Sequence, residues 1–243
     1  MEVDTLNLTL GNAERKFRYR RGPTDEVTVA QALKNSAYNF GRLRRAKELS
    51  DFYDRLVRAD KAPLIIDAGA NIGAATVYFT FSFPRARLVA IEQERSNFDL
   101  LAVNTAGLPV ECLHTIVAAA AGISKVVDPG DRVASSQTTA SDKSTKAAHP
   151  FVGVSIDEIY ERNAQAALPF IVKIEIERCE GEIFSANTEW VDRTPVIIAQ
   201  LNECLIPGTK KSRALVEHLA DRNRDFVYLH DCIFSIDREL KLN

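Results

Sequence analysis

Long apolar runs and a strong charge imbalance are both missing from this sequence. No apolar stretch among the 243 residues is long enough to cross a membrane, and the first residues lack the basic-then-apolar pattern of a signal peptide. A formal net charge of -2 gives no general attraction to nucleic acid or to an anionic membrane surface. We therefore expect a cytoplasmic protein that binds neither nucleic acid nor membrane.

Cysteine and histidine are scarce and scattered. The cysteines are Cys112, Cys179, Cys204 and Cys232, and the histidines are His114, His149, His218 and His230. They form no CxxC, HxxxH or HExxH pattern, which argues against a zinc site and against a disulfide framework. We therefore expect no metal.

The order of apolar and polar segments predicts an α/β fold. Residues 5–20 have the pattern of a β segment and residues 28–58 that of helices, and we interpret residues 1–60 as an N-terminal cap. Strands are then predicted at 64–67, 87–92, 110–117, 169–175, 195–201, 225–230 and 232–236, and helices from 72 and at 96–106, 155–164, 180–190 and 211–222. This alternation predicts one domain over residues 61–243 with a doubly wound, Rossmann-like, mostly parallel sheet and an antiparallel C-terminal strand. Residues 118–150 are rich in polar residues and glycine and predict a long loop.

The clearest functional pattern lies at residues 64–73, where an apolar strand ends in Asp67 and turns through two glycines into a helix. Gly69 allows close backbone approach or a positive φ, and Gly73 allows the helix to pack tightly on the strand. The N–H groups that start the helix favour an anion. Glu92 ends the next apolar run, where a carboxylate can accept both hydroxyls of a ribose. The pattern predicts a nucleoside-containing ligand.

A nicotinamide dinucleotide is an alternative ligand for this turn. The dinucleotide fingerprint is GxGxxG, whereas here Asn71 stands where the second glycine belongs. Its side chain would occupy the place where a pyrophosphate needs bare backbone. An NAD(P)-dependent oxidoreductase therefore remains a third interpretation, and a glycine turn without a ligand remains open as well.

The same residues resemble a known family. Residues 65–73 are similar to the methyl-donor motif of FkbM-type O-methyltransferases, which have the class I methyltransferase fold. Further similar segments follow in the family's order at residues 90–92, 97–101, 155–159, 173–177 and 182–184 and at Trp190, and residues 17–25 near the start also look familial. The resemblance therefore covers nearly the whole chain.

This resemblance implies a function and a set of site residues. It implies S-adenosylmethionine as the cofactor and a hydroxyl of a sugar, polyketide or other small metabolite as the methyl acceptor. The cofactor-binding residues carried over are Asp67, Gly69, Asn71, Gly73, Glu92 and Asn97. Oligomeric state is not readable from the sequence, and a homodimer stays open.

The presumed catalytic segment departs from the family pattern. Where the family reads Lys-Ile-Asp-Ile-Glu-Gly-Ala-Glu, residues 173–180 carry Glu175 in place of the aspartate and Arg178 in place of the glycine. A later Glu-Leu-His appears as residues 200–202, Gln-Leu-Asn, which removes a carboxylate and an imidazole able to accept a proton. The catalytic candidates are Glu175, Glu177 and Lys173, with His114 as a further base or a core histidine. These departures leave a non-catalytic S-adenosylmethionine-binding protein as the second interpretation.

Overall fold

The computed structural model describes residues 2–10, 13–35, 37–120, 122–125, 150–176, 183–184, 186–200 and 211–242. The β segment predicted at residues 5–20 consists of two strands that pair in an antiparallel manner, β1 (Val3–Leu10) and β2 (Ala13–Arg20). Helix α1 (Pro23–Val29) begins with a proline, which suits a position whose N–H has no helical partner. The remaining helical sequence forms a π-helical turn (Ala30–Lys34), a 3-10 turn (Phe40–Arg42) and α2 (Ala46–Arg58).

Strands and helices alternate after α2. The strands are β3 (Ala62–Ala68), β4 (Arg87–Glu92), β5 (Val110–His114), β6 (Gly122–Lys125), β7 (Pro150–Gly153), β8 (Ala167–Ile174), β9 (Val196–Gln200), β10 (Arg224–Leu229) and β11 (Cys232–Asp237). The helices are α3 (Ala74–Ser82), α4 (Arg95–Thr105), α5 (Ile156–Asn163), α6 (Trp190–Arg193) and α7 (Lys211–Ala220).

The described residues form a seven-stranded sheet in the order β10-β11-β9-β8-β3-β4-β5. Strands β3, β4, β5, β8 and β9 pair in parallel, whereas β11 is antiparallel to both β9 and β10. The sheet is therefore mostly parallel with an antiparallel C-terminal strand, which confirms the predicted fold class. Numbered along the chain, its strands have the order 3-2-1-4-5-7-6. A dinucleotide-binding Rossmann sheet has the order 3-2-1-4-5-6.

Apolar side chains cover both faces of this sheet. Successive residues of a strand point to opposite faces, and Ile65 and Ile66 accordingly belong to two different hydrophobic clusters. The cluster around Ile65 also contains Phe17, Tyr38 and Phe52 from the first 60 residues. The predicted cap therefore shares a continuous core with one face of the sheet.

Three predictions from the sequence need correction. Residues 118–150 were predicted as a loop, but residues 122–125 pair with residues 150–153 in an antiparallel manner, and residues 126–149 lie outside the described part. The strand predicted at 110–117 ends at His114, and Val117 forms only an isolated bridge with Val154. The helix predicted at 180–190 is not continuous, because residues 186–189 are not helical and Asn187 has φ 52°, in the left-handed region; residues 180–182 and 185 lie outside the described part. No helix in the described part of the chain is long and apolar enough to span a membrane.

Candidate functional site

The site is built on the turn of residues 69–73, which joins β3 to α3. The N–H groups of Gly69 and Ala70 both donate to the carbonyl of Ile91, at 3.0 and 2.9 Å, and so tie the turn to β4. Asn71 has φ 50° and Gly73 has φ 88°, both in the left-handed region. The turn lies at the carboxyl end of β3, between β8 on one side and β4 on the other. Strand order reverses at this point, and open α/β sheets bind ligands in such a crevice.

Gly69 is required by the close approach of β8. A Cβ at this position would lie 2.3 Å from the carbonyl oxygen of Glu175, far inside contact distance. The backbone N–H of Glu175 also donates to the carbonyl of Ala68 at 3.0 Å. The end of β8 and the turn are therefore in direct backbone contact.

Glu92 fixes the other side of the turn. Its side chain accepts hydrogen bonds from the backbone N–H of Asn71 and of Glu94, both at 2.8 Å. Burial raises the pKa of the Glu92 carboxyl, and hydrogen bonds from Glu94, Asn71 and Asn97 oppose that rise. Each carboxylate oxygen has two lone pairs, so Glu92 retains accepting capacity for ligand hydroxyls.

Two carboxylates and an ammonium meet at the ends of β3 and β8. Asp67 lies beside Lys173 in the parallel register, and its two oxygens accept from the Lys173 ammonium at 2.8 Å and the Thr76 hydroxyl at 2.6 Å. Lys173 also lies 2.9 Å from Glu175. Burial alone would lower the pKa of Lys173, but Asp67 and Glu175 hold it well above its usual value. The ammonium therefore stays charged and fixes both carboxylates.

Tyr38 completes this group of side chains, which we call the Lys173 cluster: Asp67, Thr76, Lys173, Glu175 and Tyr38. The Tyr38 hydroxyl donates to the Glu175 carboxylate, at 3.2 and 3.3 Å from its two oxygens. Burial raises the pKa of Tyr38 well above its usual value, so the phenol keeps its proton. Asp67 has no exposed surface, whereas Glu175 is partly open to solvent. Glu175 is thus the carboxylate of the cluster that a ligand can reach.

The predicted residue Asn97 is held by the N-terminal segment. Arg20 forms a bidentate pair with Asp25, at 2.9 and 2.8 Å, and donates to the side-chain oxygen of Asn97 and, at 2.7 Å, to Ser96. The Asn97 side chain lowers the pKa of Glu92, against the effect of burial. Arg20 therefore orients a side chain that acts on Glu92.

Two features of the turn leave room for a polar ligand. Within the described part of the chain, the side-chain oxygen of Asn71 is a buried polar atom without a hydrogen-bond partner. Gly73 is the N-cap of helix α3 and provides no side-chain cap, so the positive end of the helix dipole faces the turn. A ligand that offers a donor near Asn71 and an anion at the start of α3 fits these groups.

The structure brings most of the predicted site residues together. Asp67, Gly69, Asn71, Gly73, Glu92 and Asn97 surround the turn, and Lys173 and Glu175 lie across it at the end of β8. Glu177, Arg178 and Asn202 lie outside the described residues. His114 pairs with Glu92 across β4 and β5, its ring lies 4.8 Å from that of Phe98, and its Nε2 is 3.1 Å from the carbonyl of Gln93.

The sequence did not identify Tyr38, Thr76 or Arg20 as site residues. Arg20 lies in residues 17–25, where the family resemblance was noticed, so a signal existed there. Tyr38 carried none, because it reaches Glu175 only through the fold, across 137 positions of sequence.

A separate cavity of about 120 Å³ lies at the amino end of β8, at the opposite end of that strand from the turn. Phe52, Tyr160 and Arg193 are among its lining residues. None of the predicted site residues lines it, so we assign it no part in the candidate site.

Comparisons with known proteins give similar folds at low identity. No family model matches the chain, and no curated protein matches it in sequence. A search of solved structures finds the 16S rRNA N2 G1207 methyltransferase RsmC of T. thermophilus in complex with AdoMet and guanosine, with a TM-score of 0.44 and 14% identity over 97% of this chain and 51% of that one. This chain thus spans about half the length of that protein.

Two O-methyltransferases are similar over most of both chains. The O-methyltransferase of Bacillus cereus, in complex with SAH, has a TM-score of 0.44 and 16% identity over 87% of this chain and 91% of its own. TomG of Streptomyces achromogenes, involved in tomaymycin synthesis and solved in complex with SAM, has a TM-score of 0.43 and 16% identity over 87% and 88%. Because these identities are low, the fold is assigned from the strand order and strand pairing of this chain itself.

Proposed function

We propose that this protein is an S-adenosylmethionine-dependent methyltransferase that transfers a methyl group to a hydroxyl of a small metabolite or sugar. The observation that carries the proposal is the 69–73 turn, braced by Glu92, in a sheet of order 3-2-1-4-5-7-6. The resemblance of residues 65–73 to the donor motif of FkbM-type enzymes supports it.

Each end of the donor has a matching group in the site. Glu92 accepts the ribose hydroxyls with its remaining lone pairs, and the backbone N–H groups of Asn71 and Glu94 keep its carboxylate in place. The uncapped start of α3 receives the donor's carboxylate. Asp67 supports this arrangement by fixing Lys173 and Thr76, because it is fully buried and out of a ligand's reach.

The bound donor supplies an electrophilic methyl group on a positively charged sulfur. The chain's task is then to orient the acceptor oxygen and to exclude water. Glu175 is poorly placed to accept the hydroxyl proton, because its carboxylate is already engaged by the ammonium of Lys173 and the hydroxyl of Tyr38. We therefore assign Glu175 an electrostatic role.

A nicotinamide-dependent oxidoreductase is less consistent with this site. Asn71 has a left-handed backbone conformation and carries a side chain at the place where a pyrophosphate would approach the backbone. The sheet also differs from that of a dinucleotide-binding Rossmann fold, because β11 lies between β9 and β10. The second interpretation, a protein that binds the donor without catalysis, differs from the proposal only in the acceptor step.

A calorimetric titration and a transfer assay test these interpretations. Purified protein is titrated with S-adenosylmethionine, S-adenosylhomocysteine and NADH, and is then incubated with methyl-labelled donor and a panel of sugars and hydroxylated metabolites. We expect saturable binding of both adenosyl compounds, no heat with NADH, and label in an alkali-stable ether. Binding of NADH alone would overturn the proposal, and donor binding without transfer to any acceptor would favour the non-catalytic interpretation.

A further inference from the structure

The Lys173 cluster carries one uncompensated negative charge. Among the residues that the structure describes at this point, the carboxylates of Asp67 and Glu175 face a single ammonium, that of Lys173. Thr76 and the protonated phenol of Tyr38 add hydrogen bonds without adding charge. Asp67 is fully buried and lies 2.8 Å from the ammonium, so the excess charge is presented at Glu175.

Glu175 presents this charge to the ligand crevice. Its side chain keeps 22% of its surface exposed, whereas the side chains of Asp67 and Lys173 keep 0% and 2%. Its backbone touches the 69–73 turn, since its carbonyl oxygen lies 2.3 Å from the position that a Cβ of Gly69 would take. A ligand held on that turn therefore has the Glu175 carboxylate as a neighbour.

Tyr38 fixes the direction of that carboxylate. Lys173 holds one side of Glu175 and the Tyr38 hydroxyl holds the other. The Tyr38 ring is 3% exposed and is packed between Tyr78 and Phe79, with ring centres at 6.1 and 5.3 Å. With the phenol immobilised in this way, Glu175 cannot swing away from the crevice without breaking a hydrogen bond.

We propose, on the basis of the proposed methyl-donor site, that Tyr38 is a positioning residue for Glu175, and that the Glu175 charge makes the site prefer a cationic sulfonium donor over its neutral thioether product. S-adenosylmethionine and S-adenosylhomocysteine carry the same ammonium, carboxylate, ribose and adenine. They differ by the methyl group and by one positive charge on sulfur. A fixed anion near that sulfur therefore stabilises the donor and favours release of the product.

The test is the ratio of the two affinities, measured by calorimetry on wild-type protein, Glu175→Gln, Tyr38→Phe and Tyr78→Phe. Glu175→Gln keeps the shape of the side chain and removes its charge. We expect it to weaken S-adenosylmethionine binding about tenfold and S-adenosylhomocysteine binding less than about twofold, because only S-adenosylmethionine has a positive sulfur for the carboxylate to stabilise. Tyr38→Phe should lower the same ratio about threefold, through loss of one hydrogen bond to a charged group.

Tyr78→Phe is the matched control. The Tyr78 ring packs at a tilt against that of Tyr38, but Ser82, outside the cluster, is the side chain that acts on its hydroxyl, so the affinity ratio should stay at the wild-type value. Equal weakening of both compounds in Glu175→Gln, or an unchanged ratio in Tyr38→Phe, would overturn the inference while leaving the donor site intact. Failure of the wild type to bind either compound would instead remove the proposed function itself. Thermal unfolding of each variant shows that it is folded before titration.

Discussion

Replacing Gly69 by alanine is expected to separate the ends of β3 and β8. The residue has φ 80°, and an alanine there carries a backbone strain of about 1 to 2 kcal/mol. Its Cβ would also lie 2.3 Å from the Glu175 carbonyl oxygen, which is more than about 1 Å short of an ordinary contact. Relief of that overlap weakens the bond from the Glu175 N–H to Ala68, worth about 1 kcal/mol, and adds an overpacking cost of about 1 to 3 kcal/mol. The total loss is about 4 kcal/mol.

Urea unfolding of Gly69→Ala measures this loss, and Gly107→Ala separates its two causes. Gly107 has φ 76°, nearly the same as Gly69, but a Cβ at position 107 meets nothing within 4 Å. Gly107→Ala should therefore lose only the strain of about 1 to 2 kcal/mol. Equal losses in the two variants would refute the claim that β8 presses on the turn.

Three further changes test other parts of the structure. Lys173→Met leaves two carboxylates without their cation and should lower the free energy of unfolding by about 3 to 5 kcal/mol, with partial recovery when Asp67→Asn is added, as urea titration would show. Arg224 is buried and donates to five acceptor oxygens, so Arg224→Met should lower the free energy of unfolding by about 3 kcal/mol. In the same assay, Arg238→Met should lower it by less than about 0.5 kcal/mol, because Arg238 is exposed. Burial raises the pKa of Glu92 above its ordinary value of 4.5. The folded state therefore keeps a proton that the unfolded state releases, and the free energy of unfolding falls as the pH rises from 4.5 through the folded pKa. Between about pH 4 and 7, the free energy of unfolding should fall less in Glu92→Gln than in the wild type, and equal falls in the two proteins would contradict the raised pKa.

Local patterns in the sequence were enough to predict the frame of the molecule. Apolar runs such as residues 64–67 predict buried parallel strands wherever they occur, and the glycines at 69 and 73 mark a turn by their own backbone freedom. Both features depend on residues close together in sequence. The sheet, the turn and the acidic strand ends at Asp67 and Glu92 therefore lie where the sequence predicts them.

Contacts between distant segments could not be predicted in the same way. Glu175 was weighed as a proton acceptor, but its environment depends on Tyr38, which reaches it only because the N-terminal helices pack on the sheet. Asn97 was interpreted as a cofactor ligand, whereas its side-chain oxygen also accepts a hydrogen bond from Arg20 in the N-terminal segment. The strands at 122–125 and 150–153 were missed because each has only four residues and its partner is distant in sequence. In each case, the fold brings together two segments that are distant in sequence.

A crystal structure of the protein with S-adenosylhomocysteine tests the central claim most directly. The account predicts ligand density along the 69–73 turn, with the ribose hydroxyls on Glu92 and the amino-acid carboxylate at the start of α3. Density elsewhere on the molecule, or an empty crevice at a ligand concentration far above that needed for saturation, would contradict it.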